Sequence, residues 1–545
     1  MMLEISFGRI FKTDVLVVGG GLAGLWAAFS ATKSGSKVII LDKGKVGQTS
    51  CSKFASGDFK TMLPQDDFNT TMKRLVESGC YLGHQEWIET TLKESYDRVV
   101  ETEELLGMKF ARDENGEFIA TKGIFSMLTI STSDLMKKFS KIVQKMGVKI
   151  YDRYFVSEPI LDSNGRLKGV IALSTRELKY YVFLCKAVVL ACGSCSLWAA
   201  YFGHQFSTGD GYALALKAGA SLINMEAVNH NISFKSFDST GTTFFRDHGV
   251  RYLNCKGEEF IKKYNGLPLS HAMALEVRES NGPIYLDLSG VKSSDFDSAK
   301  EIMPWLKLMF DRSNFNSKRI ECIAAFAGSR GTSAGVFVTK EGFSEVSGLF
   351  ATGDTGAKLG NGMGTMASLL NCSVYGKLCG IAASKYCQNV KMPSENVNIY
   401  SVNLPEKNEK DGLTADSVLM ALQKTILPMD VVILREEGRL IKALNKLEEI
   451  KNEMLPKIEW TDPHTLIKKL ETENMVLYCE VMLKSALIRT ESRGLHYRED
   501  YPIRDNKNWL KWIKIRGETG NLYNFHVELV NLPKNAFKYI TPPGK

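Results

Sequence analysis

At 545 residues the chain is too long for one hydrophobic core and suits roughly two to four domains. Its 44% hydrophobic and 24% charged residues, without a low-complexity tract, exclude a disordered or fibrous protein. The net charge of +8 is spread along the chain with no arginine-rich arm, which argues against nucleic acid as a partner. No apolar run is long enough to span a bilayer, and the opening MMLEISFGRIFKTD lacks a signal-peptide core, so the expected location is cytoplasmic. The 11 cysteines are scattered, which suits reduced thiols; no metal site is assigned, and any iron–sulfur cluster is expected on another subunit.

Thr13–Val18 is a β-branched apolar run that reads as a strand and stops at Gly19. Small and apolar residues continue at helical spacing through Lys33, and Ser36–Leu41 reads as a second strand. Residues 59–145 alternate helical stretches with turns such as Asp113–Gly116. A strand set follows at Val148–Tyr151, Leu167–Leu173, Tyr180–Leu184 and Ala187–Ala191, with Asn164 and Gly165 marking a turn between strands. From residue 226 the small-residue texture disappears, as in an inserted domain, and it returns at Gly328–Gly335 and Gly348–Gly364 before a helix over Thr365–Lys385. Beyond about residue 400 the chain is charged and helical, at Leu434–Leu455 and Pro463–Arg489, and ends in a mixed tail.

Gly19, Gly21 and Gly24 form a Gly-x-Gly-x-x-Gly turn between the first strand and helix, with Leu22 and Ala23 inside it. Gly19 permits the tight turn, Gly21 lets a pyrophosphate approach the backbone, and Gly24 lets helix and strand pack closely. The helix N-terminus offers the phosphates unpaired N–H groups and the positive end of its dipole. Asp42, ending the next strand, is placed to accept ribose hydroxyls. A second glycine-rich return, GLFATGD with Gly353 and Asp354 and then GNGMGTMAS, favours a flavin over a nicotinamide, which needs no such return. Asp354 suits the ribityl hydroxyls, and a helix opening near Thr365 and Ser368 aims its positive end at the N1/C2 region of the ring. Val188–Gly193 and Ser207–Gly211 complete the expected cofactor wall.

The segments VVGGGLAGLWAA, AVVLACG, STGDGYALALKAGASLINMEA, GLFATGD and RTESRGLHYREDYP, with Trp509 beyond, stand in family order over nearly the whole chain. They resemble the flavoprotein subunit family of fumarate reductase, succinate dehydrogenase, L-aspartate oxidase and adenylylsulfate reductase. GSRGTSAG and the strand-like tail look most similar to the adenylylsulfate reductase α subunit. The resemblance implies an α/β fold with a discontinuous Rossmann-type FAD-binding domain (1–225 and 336–400). It adds an inserted α+β capping domain with substrate contacts (226–335), a C-terminal helical domain (401–505) and a tail (506–545). It also implies FAD as cofactor, with Lys43, Thr49, Ser50, Gly57, Ala191, Gly193, Asp210 and Leu369 joining the residues above. The implied activity exchanges electrons between a small anionic substrate at flavin N5 and an iron–sulfur, ferredoxin-like subunit.

Succinate dehydrogenase and fumarate reductase tether FAD through a histidine; the matching QTSCSKFASG has Ser50 near that position and no histidine, so noncovalent FAD is expected. The arginines those enzymes use for dicarboxylates are missing from GLPLSHAMAL and LGNGMGTM. Adenylylsulfate reductase has a histidine where Arg330 stands and an arginine where Ser233 stands. Arg330, in its Gly/Ser-rich turn, is a substrate-binding cation or a salt-bridge partner. His230 is a general acid–base or a hydrogen-bonded structural histidine; it and Lys235 flank the strand entering the inserted domain. Lys60 meets an anion over the ring or is simply solvated. Cys192 and Cys195 read as packing residues rather than a redox pair, and Arg493, His496 and Arg498 as a bridge between helical and flavin domains. Two alternatives stand beside the main reading: a stand-alone enoate reductase or dehydrogenase, and a non-catalytic electron-transfer subunit of a larger redox complex.

Overall fold

The computed structural model describes residues 6–122, 126–199, 203–235, 242–246, 248–264, 266–303, 306–308, 318–364, 368–394, 412–518 and 521–543. Strand β1 (Ser6–Val18) ends in Val15–Val18, which is apolar on both faces and therefore needs cover on both. That places it inside the largest sheet. Helix α1 (Leu22–Lys33) lies against the sheet with Leu22–Ala31 buried, and β2 (Val38–Asp42) returns parallel to β1. Much later in the chain come β3 (Lys149–Asp152), β4 (Tyr154–Leu161), β5 (Leu167–Ser174) and β6 (Lys179–Leu190). The spatial order is β3-β2-β1-β6-β5-β4, parallel from β3 to β6 and antiparallel from β6 to β4.

β6 corrects the reading of two separate strands at 180–184 and 187–191. The chain runs straight through Lys186, whose ammonium pairs at 2.8 Å with Asp14 on β1, so the polar interruption is neutralised instead of becoming a turn. β4 went unread because it does not alternate and carries Pro159. As an edge strand it tolerates a residue with no N–H to donate.

Helix α2 (Asp210–Lys217) leads into an inserted antiparallel sheet of β7 (Asn229–Phe234), β8 (Arg251–Leu253), β9 (Ile284–Asp287) and β10 (Arg319–Gly328), ordered β7-β10-β9-β8. With α3 (Leu269–Glu276) between β8 and β9, this cap has a core of its own, built from side chains such as Phe234, Phe245, Leu286 and Ile320. The chain then returns to the large sheet. β11 (Leu349–Ala351) pairs parallel with residues 188–190 of β6, whose earlier part pairs with β5.

Helix α4 (Ser368–Gln388) packs on α1 at close range because it carries glycines: a Cβ at Gly376 would lie 2.7 Å from the Ala23 carbonyl oxygen, and one at Gly380 would lie 2.2 Å from that of Ala27. Helices α5 (Glu437–Glu449) and α6 (Pro463–Ile488) follow. Asp462 starts α6 by accepting from the backbone N–H groups of His464 and Thr465, while Thr465 bonds back in a capping box. The tail is a hairpin of β12 (Lys511–Glu518) and β13 (Asn521–Asn531). Among the described residues no helix is long and apolar enough to cross a membrane.

Candidate functional site

A cleft opens at the C-terminal ends of β1 and β2, where parallel strands leave a crevice for a ligand. Its first wall is the glycine turn. Gly19 has φ +107°, and a Cβ there would sit 2.3 Å from the Ala191 carbonyl oxygen; a Cβ at Gly24 would sit 2.0 Å from that of Gly19. The chain's own packing demands those two glycines. Gly21 differs: the nearest atom to an added Cβ is 3.5 Å away, so the backbone leaves room at the open end of α1. There the Leu22 N–H donates to the Ser52 hydroxyl at 3.2 Å.

Asp42 accepts from the N–H groups of Gly20 at 2.6 Å and Gly44 at 2.7 Å, and burial still pushes its carboxyl above the usual range. Thr49 braces the following loop by accepting from the Lys45 N–H at 2.9 Å. Beside it the buried Ser50 hydroxyl has no hydrogen-bond partner among the described residues. An open helix end, an orphaned hydroxyl and a carboxylate ending the second strand fit a dinucleotide with its pyrophosphate on α1 and a ribose on Asp42.

Lys43 and Asp210 also line the cleft, but they hold each other. The Lys43 ammonium donates to Asp210 at 2.8 Å and to Glu471 of α6 at 2.6 Å. Burial pulls its pKa down, and the two carboxylates outweigh that and hold it above its ordinary value. Ala191 and Gly193 form the wall after β6, where Gly193 accepts from the Thr355 hydroxyl at 3.0 Å. Cys192 and Cys195 are free thiols pushed up by burial. Sequence reading missed the wall at Tyr154–Val156, which sits on unread β4, and also Cys51, Phe206 and Cys372.

Gly353 and Asp354 close the far side. Asp354 Oδ1 accepts from Lys358 Nζ at 2.8 Å and from the Gly331 N–H at 3.0 Å. Burial raises its carboxyl, but Lys358, Gly331 and Arg330 together bring it below the ordinary value. Lys358, 2% exposed, is a cation the sequence reading did not single out, although its spacing of four from Asp354 was visible.

Arg330 follows β10 in a turn strapped by Asp354 and by Asn361, whose Nδ2 donates to the Gly331 carbonyl at 2.8 Å. Its charge acts on Cys51 and Asp354, both on the cleft wall, and on the buried His204 ring. Arg330 itself is not among the residues that line the cleft, and neither are the other candidate substrate residues. Lys235 is 58% exposed and paired with Glu321 at 2.7 Å. Lys60 lies on strand Asp58–Thr61, paired with Ser126–Thr129 and off the cleft wall. His230 is buried edge-on to Phe326 and is not among the residues that line the cleft, although its neighbour Asn229 donates to the Arg330 carbonyl at 3.2 Å. Gly57 is a turn residue at φ +83°, pressed against Ile130, and like Ser368 and Leu369 it does not line the cleft. Thr365 lies outside the described residues.

The RTESRGLHYRED segment is a buried ionic seam. Arg489 donates to Glu226 at 2.8 Å and Arg493 to Glu491 at 2.7 Å, while Arg498 donates to Asp500 at 2.6 Å. Arg493 also reaches the Cys80 carbonyl at 2.7 Å, which ties the helical domain to the flavin side.

The profile of the FAD binding domain family matches residues 14–370, and that of the fumarate reductase flavoprotein C-terminus matches residues 421–539. The chain belongs to this flavoprotein family and is an FAD-dependent oxidoreductase. An uncharacterized FAD-dependent oxidoreductase of Methanocaldococcus jannaschii is 28% identical over 534 residues, covering 93% of this chain and 97% of its own. One subunit of the fumarate reductase (CoM/CoB) from Methanothermobacter marburgensis is 25% identical over 535 residues, covering 91% and 95%. Among solved structures, the E. coli quinol fumarate reductase flavoprotein has a TM-score of 0.85 at 20% identity, covering 99% of each chain. Adenylylsulfate reductase of Archaeoglobus fulgidus has a TM-score of 0.80 at 21% identity, covering 98% and 97%. These two likenesses concern the fold.

Proposed function

We propose that FAD binds in the cleft without a covalent tether, and that a small anionic substrate is held beside Arg330 under the cap. An iron–sulfur subunit is proposed to exchange the electrons. The observation that carries this reading is the placement of Arg330 in the turn that joins cap to flavin domain, where its neighbour Gly331 donates to the cleft residue Asp354 at 3.0 Å. FAD, when bound, supplies two-electron chemistry at its N5. The chain's residues bind and orient. Asp42 holds the ribose, α1 faces the pyrophosphate, and Asp354 Oδ1 is occupied by Lys358 and Gly331, which leaves Oδ2 for a ribityl hydroxyl. A guanidinium stays protonated at any working pH, so Arg330 steers and stabilises negative charge and does not shuttle a proton. The relatives whose names make them subunits support a separate electron partner.

An anaerobic screen tests the reading. Small mono- and dianionic compounds are mixed with the photoreduced and the oxidised protein while the flavin spectrum is followed. At least one is expected to reoxidise or bleach the flavin, with a rate that falls when Arg330 is replaced. A protein whose flavin responds only to uncharged compounds would remove Arg330 from the substrate site.

A further inference from the structure

The cap meets the helical domain at α3, where His271 packs on Tyr497, and a second histidine, His230, lies in the cap within reach of the His271 charge. His230 on β7 is 7% exposed, its ring stands edge-on to Phe326 at 5.8 Å, and neither ring nitrogen has a hydrogen-bond partner among the described residues. His271 on α3 is fully buried, with Nδ1 3.3 Å from the Ser270 hydroxyl and its ring edge-on to Tyr497 of the helical domain at 5.9 Å. Arg435, 1% exposed, acts on both rings. Its Nη1 donates to the Glu226 carbonyl at 2.8 Å and lies 2.6 Å from His496 Nδ1, while Nη2 has no hydrogen-bond partner among the described residues. At the rim, Arg278 of the cap grips Glu499 with two bonds of 2.8 and 2.5 Å, and Arg439 holds the same carboxylate at 2.5 Å.

The cap has a separate core, and its neighbouring strands β7 and β10 lead into and out of it, so docking on the helical domain fixes its second side. We infer that this face is an acid-opened latch: the cap stays docked while His230 and His271 are neutral, and protonating either ring beside Arg435 releases it. The consequence for substrate access rests on the proposed placement of the substrate under the cap.

Docking holds both rings below their ordinary pKa. Burial is the main cause, followed for His230 by His271 and Arg435; for His271, at about 3, burial and Arg435 outweigh a backbone hydrogen bond to Leu495 that favours the protonated ring. An undocked ring returns toward about 6.5, so the undocked state binds more protons. Docking is therefore complete above that pH and weakens as pH falls below it, by up to about tenfold per pH unit for each ring. The other charged groups at the face do not cancel this. Glu226 is engaged by Arg489 at 2.8 Å, and His496, behind Arg435, is itself kept neutral by burial. Arg498, near Arg435, is paired with Asp500 at 2.6 Å. Glu499 is held below its ordinary value first by Arg278, so it titrates beneath the window of the histidines.

Hydrogen–deuterium exchange on the FAD-loaded protein tests the latch, with rates corrected for the intrinsic effect of pH. From pH 6.5 to 5.5, amides in 269–281 and 493–501 are expected to exchange about tenfold faster or more, while those in β1 stay protected. Combining His230→Phe with His271→Phe should lower that slope to what His496 alone contributes, most clearly in 269–281, and His230→Phe alone should reduce it in part. Arg278→Ala, at the half-exposed rim, should speed exchange at every pH and keep the slope. A wild-type protein with no pH dependence in those segments overturns the latch, whatever the variants do. A folded double variant with the wild-type slope overturns it too. No turnover is read, so failure of the latch and failure of the substrate assignment are separate results.

Discussion

Position 21 differs from the glycines that the chain's own packing demands. An added Cβ at Gly21 meets nothing closer than 3.5 Å, so Gly21→Val is expected to fold yet lose its flavin, because the branched side chain fills the space of the pyrophosphate. Gly24→Ala collides with backbone at 2.0 Å and should lower the Tm instead. Flavin absorbance per chain, read beside thermal unfolding, distinguishes the two; full FAD in Gly21→Val would put the cofactor elsewhere. Arg330→Met should keep both FAD and Tm while slowing substrate-driven flavin turnover by roughly 100-fold, the scale of a lost charge-stabilising donor. Lysine should rescue in part, since it keeps the charge without the planar fork. Unchanged turnover in stopped-flow would place the substrate away from this turn. That Gly19, Gly21, Asp42, Gly353 and Asp354 meet at one cleft was legible because each spacing has a chemical reason. Lys358 was not, since a spacing of four from an aspartate signals a pair on a helix and this lysine lies outside one.

At the scale of elements, Lys43 fastens the end of β2 to α6 across most of the chain. Replacing it by methionine leaves Asp210 and Glu471 buried beside each other without their cation, a change that typically costs about 3–5 kcal/mol. Lys43→Met should therefore lower the urea midpoint and the FAD content together, and a midpoint equal to wild type would show that the helical domain docks without this contact. The strands around the glycine motif were readable from their apolar runs. The division of β6 was misread because Asp14, the partner that neutralises Lys186, lies on another strand and is invisible to local periodicity. What covers His230 was not legible for a similar reason: a strand's sequence does not say which neighbouring element packs on each face.

For the molecule as a whole, His204, His230, His271 and His496 are all buried with pKa values pulled down, mainly by burial. Each takes up a proton on unfolding once the pH drops below about 6.5, so stability falls with acidity by up to about 1.4 kcal/mol per pH unit for each ring. Urea midpoints should fall clearly from pH 7.5 to pH 5.5; equal midpoints would mean that these rings stay unprotonated in the unfolded chain or are solvated in the folded one. Denaturation followed by filtration should carry the yellow colour into the filtrate, since no histidine occupies the stretch around Ser50. Flavin retained on the polypeptide would show a covalent bond.

The cleft also sets a timetable. Its walls come from residues near 20, near 190 and near 354, and Lys43 meets its last partner only at Glu471. A ribosome adding roughly 5–20 residues per second completes β1 and α1 long before β11 and α6 exist. For tens of seconds the nascent glycine turn has no far wall and its buried lysine has only part of its counter-charge. A cradle still lacking its far wall is expected to hold FAD weakly, which would place cofactor capture near the end of synthesis, after the first strands have formed.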